Sequence, residues 1–252
     1  MVKNRYHFES IDSTNKKAKE LAEAGCEHAT LVTADAQEAG VGRRGRNWSS
    51  EKGAGIYMSM VLRPNLDTTE ASMLTIIAAL AVAKAIQKEL EDKSIVPYIK
   101  WPNDIVINKK KVCGILTELS LKGSEIDYIV VGIGINVTNI SFPEEISQTA
   151  SSIFVESKQR IDREQLITSV WKYFEQYFDV FIETKDLQFI RKEYEELLAN
   201  KDKEVKVLDP KGEYEGIARG ITNKGELLVE TEGKIQQVSS GEVSVRGIYG
   251  YV

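Results

Sequence analysis

The patterning of the chain changes at Asn200-Lys201-Asp202-Lys203, and this break constrains the fold more than any other feature. Ahead of it, helical apolar spacing alternates with β-branched runs. Behind it, five short strand-like runs (204–208, 214–219, 227–230, 235–238 and 243–246) crowd into about fifty residues. The turns Pro210-Lys211-Gly212, Asn223-Lys224-Gly225 and Glu232-Gly233 separate them. Short strands divided by turn residues read as a small barrel. Two units of unequal size follow, and 252 residues suffice to bury a sizeable core without disulfides or a structural metal.

Within the first unit, residues 6–9 read as a strand, and Asp12-Ser13-Thr14-Asn15, a cluster of N-cap residue types, starts a helix. Ala18, Leu21 and Ala22 share one face of that helix, and Gly25 stops it. Residues 30–34 and 56–62 read as strands, and 70–90 as a long Ala-rich helix. Strand-like runs at 98–101, 105–107, 112–121 and 126–137 form an antiparallel meander. Helices at 163–183 and 187–199 follow, with Trp171, Phe174, Tyr177, Phe178 and Phe181 at the helical spacing of core packing.

Composition removes several classes. With 33 Lys+Arg against 38 Asp+Glu the net charge is −5, which argues against a general nucleic-acid binder. Two Cys (Cys26, Cys113) and two His exclude a Cys-rich zinc module and a disulfide scaffold, and fit a reducing compartment. The longest apolar run, 73–83, stops at Lys84, well short of the roughly 20 residues a bilayer requires. The first ten residues lack the apolar stretch of a signal peptide. A soluble, cytoplasmic protein with no membrane partner is expected.

Residues 36–55 hold five glycines and three arginines and read as a loop. Gly40-Val41-Gly42-Arg43-Arg44-Gly45 matches the dinucleotide fingerprint G-x-G-x-x-G, but no helical pattern follows it, and the Lys-Ser/Thr of a P-loop is absent. What remains is a basic loop with Trp48 close behind. Guanidinium groups bind phosphate or carboxylate, and an indole can stack on a base; a solvated loop or an RNA contact fits equally. Lys100-Trp101-Pro102-Asn103-Asp104 stands at a strand end, with Asp104 either functional or a turn cap. Lys111-Val112-Cys113-Gly114-Ile115-Leu116 opens a strand with a lysine and then a glycine that permits close ligand approach. The paired glycines of Gly132-Ile133-Gly134-Ile135-Asn136 mean either a bulge or room for a ligand.

In this order the four motifs, with Ser13-Thr14-Asn15 upstream, resemble the biotin protein ligases (biotin–acetyl-CoA-carboxylase ligases) over essentially the whole chain. The resemblance implies an α+β fold: a mixed or antiparallel sheet flanked by helices, of class II synthetase-like type, as a catalytic domain over 1–200, with a small C-terminal SH3-like β-barrel over 201–252. It also implies two half-reactions, biotin plus ATP giving biotinyl-AMP and pyrophosphate, then transfer to a lysine of a biotin carboxyl carrier domain. By the same likeness Ser13, Thr14, Asn15 and Gln37 hold the ureido head of biotin, and Gly40, Gly114 and Gly134 also belong to the biotin site. Arg43, Arg46 and Lys111 stabilise the reacting anions, with Lys111 between the biotin carboxylate and the α-phosphate. Trp48 and Asn136 stand beside the adenine, and Arg246 faces the nucleotide, with Glu242 on the same face of its strand. Mg²⁺ screens the pyrophosphate, and Asp104 orients or deprotonates the acceptor amine.

Two departures accompany the likeness. Val41 replaces a commonly basic residue and leaves one ligand contact unassigned. The winged-helix domain of the repressor type of ligase has no counterpart ahead of Tyr6, so no DNA partner is expected; a homodimer is left open. A lipoate or octanoate transferase is the alternative enzyme, and an RNA- or protein-binding module leaves the ordered motifs unexplained.

Overall fold

The computed structural model describes residues 2–209, 212–241, 243–247 and 251–252. The expected turn at Pro210-Lys211 and the expected pairing of Glu242 with Arg246 therefore lie outside the described residues. Strand β1 (Asn4–Phe8) and strand β2 (Thr30–Ala34) are parallel neighbours joined through α1 (Thr14–Glu23). Parallel neighbours require such a crossover, because a tight hairpin can join only antiparallel strands. The remaining strands are β3 (Gly55–Leu62), β4 (Tyr98–Lys100), β5 (Asp104–Ile107), β6 (Lys110–Lys122) and β7 (Glu125–Asn136). They complete a seven-stranded sheet in the order β1-β2-β3-β7-β6-β5-β4, antiparallel in every pair after the first. The expected meander is the β4-β5-β6-β7 half of it.

Helix α2 (Thr68–Glu89) begins earlier than the apolar pattern suggested, because a capping box fixes its start. Asp67 accepts the Glu70 amide at 2.8 Å, and the Glu70 carboxylate accepts the Asp67 amide at 2.9 Å, an arrangement typically worth about 1 kcal/mol. The helix is long and apolar enough to cross a membrane by length and composition, yet 78% of that apolar window is buried. Its burial identifies it as the core helix. A short α3 (Ile153–Ser157) precedes α4 (Arg163–Thr184), which packs on α2 and buries Trp171, Phe174, Phe178 and Phe181. Trp171 meets Phe174 edge-on at 5.3 Å, and Phe174 stacks on Phe178 at 5.7 Å.

Helix α5 (Gln188–Glu196) stops short of 199 because the following residues run along β4. Ile99 donates its amide to Leu197 at 2.7 Å and accepts from Ala199 at 2.8 Å. That contact covers the sheet edge, which would otherwise offer unpaired backbone groups.

The last five strands are β8 (Glu204–Asp209), β9 (Gly212–Ile221), β10 (Leu227–Thr231), β11 (Lys234–Val238) and β12 (Ser244–Gly247). They form an antiparallel sheet in the order β11-β10-β9-β8-β12. This sheet is fastened to the first. Trp101 Nε1 donates to the Gly225 carbonyl at 2.9 Å, and the Leu187 amide donates to Asn223 at 2.9 Å. Val205, Val207, Ile221, Leu227 and Val229 belong to the same apolar core as α2 and α4. The docking brings β12 over the turn between β4 and β5.

Candidate active site

The basic loop between β2 and β3 is ordered by its own backbone. Gly42 donates to the Arg46 carbonyl at 2.7 Å and Trp48 to the Gly40 carbonyl at 2.8 Å, with Val41 opposite Asn47 and one 3₁₀ turn at Arg43–Gly45. No helix follows, so the dinucleotide reading is excluded on geometry.

Two cavities meet at this loop. The larger, about 200 Å³, is enclosed by the loop, the β4–β5 turn, residues 142–150 and β12. Six cationic side chains line it (Arg43, Arg44, Arg46, Lys100, Lys111 and Arg246) against one carboxylate, Asp104. In a chain of net charge −5 this concentration marks an anion site. The smaller cavity, about 50 Å³, lies between the start of α1 and the glycine-bearing stretches of β6 and β7. Gly42, Arg43, Trp48, Asn103 and Lys111 line both cavities.

Lys111 and Asp104 form an ion pair at 2.6 Å, without the alignment of a hydrogen bond. Asp104 is buried at the start of β5, so it is no turn cap. Its other oxygen accepts a bond from the Tyr251 hydroxyl. Burial pushes the Asp104 carboxyl up, but the ammoniums of Lys111 and Lys100 and the Tyr251 hydroxyl outweigh it and hold it below its usual value. Lys100 is itself buried, and burial lowers it to about 8 although Asp104 pulls the other way.

The polar end of the smaller cavity is a network. Gln37 Oε1 accepts from the Thr14 amide at 2.8 Å and the Thr14 hydroxyl at 3.1 Å, while its Nε2 donates to Ser50 at 2.9 Å. Asn15 Nδ2 donates to Glu118 at 2.8 Å, and its Oδ1 accepts from the fully buried Ser59 hydroxyl at 2.6 Å. Ser59 stands opposite Gly132 across β3 and β7, and a Cβ at Gly132 would collide with the Asn15 amide. Each amide oxygen has two lone pairs, so Asn15 keeps one for a ligand N–H. Ser13 makes no side-chain cap bond on α1 and lines the same cavity. Sequence reasoning did not find Ser59, Glu118 or Lys100 as parts of the site. The β3–β7 register alone reveals Ser59, whereas Lys100 stood inside its motif and Glu118 closes the K-x-x-G-I-L-x-E run that begins at Lys111.

Several expected positions take different duties. The indole of Trp48, assigned to the adenine, lies over the two glycines: a Cβ at Gly134 would stand 2.6 Å from its Nε1, and one at Gly114 2.8 Å from its Cζ3. The glycines make room as expected, but the indole occupies it, and a ligand there requires the ring to leave. The bulge alternative fails, since β7 keeps continuous register with β3 through Gly132 and Gly134. Gly40 lines neither cavity; a Cβ there would stand 2.6 Å from the Trp48 carbonyl, so it is a packing position within the loop. Arg43 donates to Asn103 Oδ1 at 2.9 Å and to the carbonyls of Ser240 at 2.5 Å and Gly241 at 2.9 Å, joining the loop to the second sheet. Asn136 lines the larger cavity but spends its amide on the Ser151 carbonyl at 2.9 Å. Arg46 and Arg246 are exposed at the larger cavity with no ion pair among the described residues.

Among the described residues no three His, Cys, Asp or Glu side chains gather into a metal site. The described residues therefore offer no cluster that fits a resident metal. Cys113 is buried and its thiol is pushed far up by that burial, which removes it as a nucleophile.

Comparison with known proteins agrees with this geometry. The profile of the Biotin/lipoate A/B protein ligase family matches residues 7–136, and that of the Biotin protein ligase C terminal domain matches residues 202–246. The bifunctional ligase/repressor BirA of Bacillus spizizenii is 37% identical over 93% of this chain and 72% of its own length. The biotin–[acetyl-CoA-carboxylase] ligase of Paracoccus denitrificans is 31% identical over 94% of this chain and 98% of its own. The biotin protein ligase of Aquifex aeolicus, solved in complex with biotin and ATP, is 32% identical with a TM-score of 0.84, covering 97% of this chain and 99% of that one.

Proposed function

The chain belongs to the biotin/lipoate A/B protein ligase family, and on that premise we infer how its own residues divide the work of a biotin protein ligase. The activity is activation of biotin with ATP and its transfer to protein; the lipoate alternative is not favoured by relatives that are named biotin ligases. One observation carries the residue-level reading: Lys111 lines both the polar-ended cavity and the cationic one.

In the first half-reaction a biotin carboxylate oxygen attacks the α-phosphorus of ATP, and the bond to the departing pyrophosphate breaks. The carboxylate is ionised at neutral pH, so no base is required; the obstacle is repulsion between two anions. Lys111 bridges them, and Arg46 and Arg246 meet the phosphates. The Thr14, Asn15 and Gln37 network recognises the ureido head with Ser13. Trp48 moves off Gly114 and Gly134 to admit the valeryl chain, its indole turning to the adenine beside Asn136. Arg43 holds the loop and the second sheet closed over the product. Mg²⁺ held by the nucleotide phosphates would screen their charge.

In the second half-reaction a carrier lysine amine attacks the biotinyl carbonyl carbon, and the carbon–oxygen bond to phosphate breaks, AMP leaving with the electron pair. A carboxylate held below its usual value is a weak base, so Asp104 attracts and orients the amine, whose proton passes to solvent. The reading places the catalytic domain at 1–200 and an SH3-like barrel domain at 201–252, and puts the enzyme in the cytoplasm with its free cysteines. Biotin-dependent pyrophosphate release tests the first step: Lys111→Ala should lower it without changing the fold. Release at the wild-type rate in that variant would remove Lys111 from the reaction.

A further inference from the structure

Tyr251 stands outside every motif, yet it reaches the centre of the site. Its hydroxyl donates to Asp104 Oδ2, and the Lys100 ammonium sits over its ring at 4.3 Å from the centroid. The other carboxylate oxygen faces Lys111 at 2.6 Å. One oxygen of this buried carboxylate is thus hydrogen-bonded and the other ion-paired. The residue is held from behind as well, since the Val252 backbone abuts β12 so closely that a Cβ at Gly247 would collide with it.

We propose that Tyr251 determines acceptor specificity: seated, its hydroxyl holds the Asp104 oxygen that an incoming amine requires, so only an acceptor that displaces Tyr251 on docking is modified. This rests on Asp104 orienting the amine. A small amine has no surface with which to lever the ring from beneath Lys100. A folded carrier that presents its lysine at Asp104 does. The phenol is no competing nucleophile, because burial and the Asp104 charge push its proton affinity well above the usual tyrosine value.

The test uses the full chain, loaded with biotin and MgATP and freed of excess substrate, then mixed in single turnover with Nα-acetyl-lysine or with a biotin carboxyl carrier domain. Transfer rates are normalised to the adenylate loaded. Tyr251→Phe keeps the ring and removes the hydroxyl, and Gly247→Ala dislodges the segment without touching Asp104. Each should raise the acetyl-lysine rate relative to the carrier rate about tenfold or more, the scale of one hydrogen bond to a charged group. Asp104→Asn, run in parallel, should slow both acceptors. If Asp104→Asn slows both while Tyr251→Phe leaves the ratio unchanged, or lowers both rates in proportion, the proposal is overturned and the role of Asp104 stands. If Asp104→Asn leaves both rates intact, the reading of Asp104 fails and takes the proposal with it.

Discussion

Lys111 lines both cavities, and its substitution separates chemistry from packing. Lys111→Ala and Arg46→Ala should each slow adenylate formation by roughly 10² to 10³, the loss of about 2.7 to 4 kcal/mol seen when a donor to a developing anion is deleted. Pyrophosphate release measures it, and Arg46, being exposed, gives the cleaner variant. Lys100 adds a pH signature. Its folded value of about 8 lies below the ordinary 10.5. Between those values the unfolded chain holds a proton that the folded one has released, so stability from this group rises with pH across that window. Thermal unfolding of wild type against Lys100→Met should show the difference moving in favour of wild type between about pH 8 and 10.5. As pH rises through about 8 the folded Lys100 loses its charge, the cationic field of the larger cavity weakens, and adenylation should fall. Ser59→Ala strands the Asn15 carbonyl oxygen, at a cost of about 1–3 kcal/mol, and should raise the KM for biotin while leaving that for ATP. Arg43, Trp48, Lys111, Gly114 and Gly134 were legible as members of ordered motifs, and the fold brings them to the two cavities. Ser59 and Tyr251 were not, since one is placed by strand register and the other by the contact of Val252 with β12.

Elements show the same division. Residues 30–34 and the β4–β7 run were legible from β-branched composition and turn residues, and they lie where expected. The parallel pairing of β1 with β2 was not, because pairing direction is set by where α1 packs rather than by any residue in the strands. Helix α5 ends early for a similar reason, its continuation being claimed by the edge of β4. The aromatic face of α4 was read as core and is core, and Phe174, wholly buried between Trp171 and Phe178, is its centre. Phe174→Ala should cost about 3–5 kcal/mol of stability, measured by denaturant unfolding. A loss below 1 kcal/mol would mean that α4 is not packed as described.

At the scale of the whole molecule, the change of pattern at 200–203 marks where one sheet gives way to the other, but it hid how firmly they are joined. The shared core and the Trp101–Gly225 bond join the second sheet to the first; a chain cut after residue 203 should expose Trp101 and Leu187 and lose cooperative unfolding. Arg246→Ala is the sharper probe of the second sheet, and should raise the KM for ATP with little change in that for biotin. The account as a whole rests on one continuous path from ureido network through Lys111 to the cationic cavity. Incubation with labelled biotin or labelled lipoate, MgATP and a biotin carboxyl carrier domain tests it most directly. The account predicts ATP-dependent label from biotin on the carrier lysine, passing through a trapped biotinyl-AMP, and none from lipoate. Efficient lipoyl transfer without biotinyl transfer, or biotin transfer with no adenylate, would contradict it.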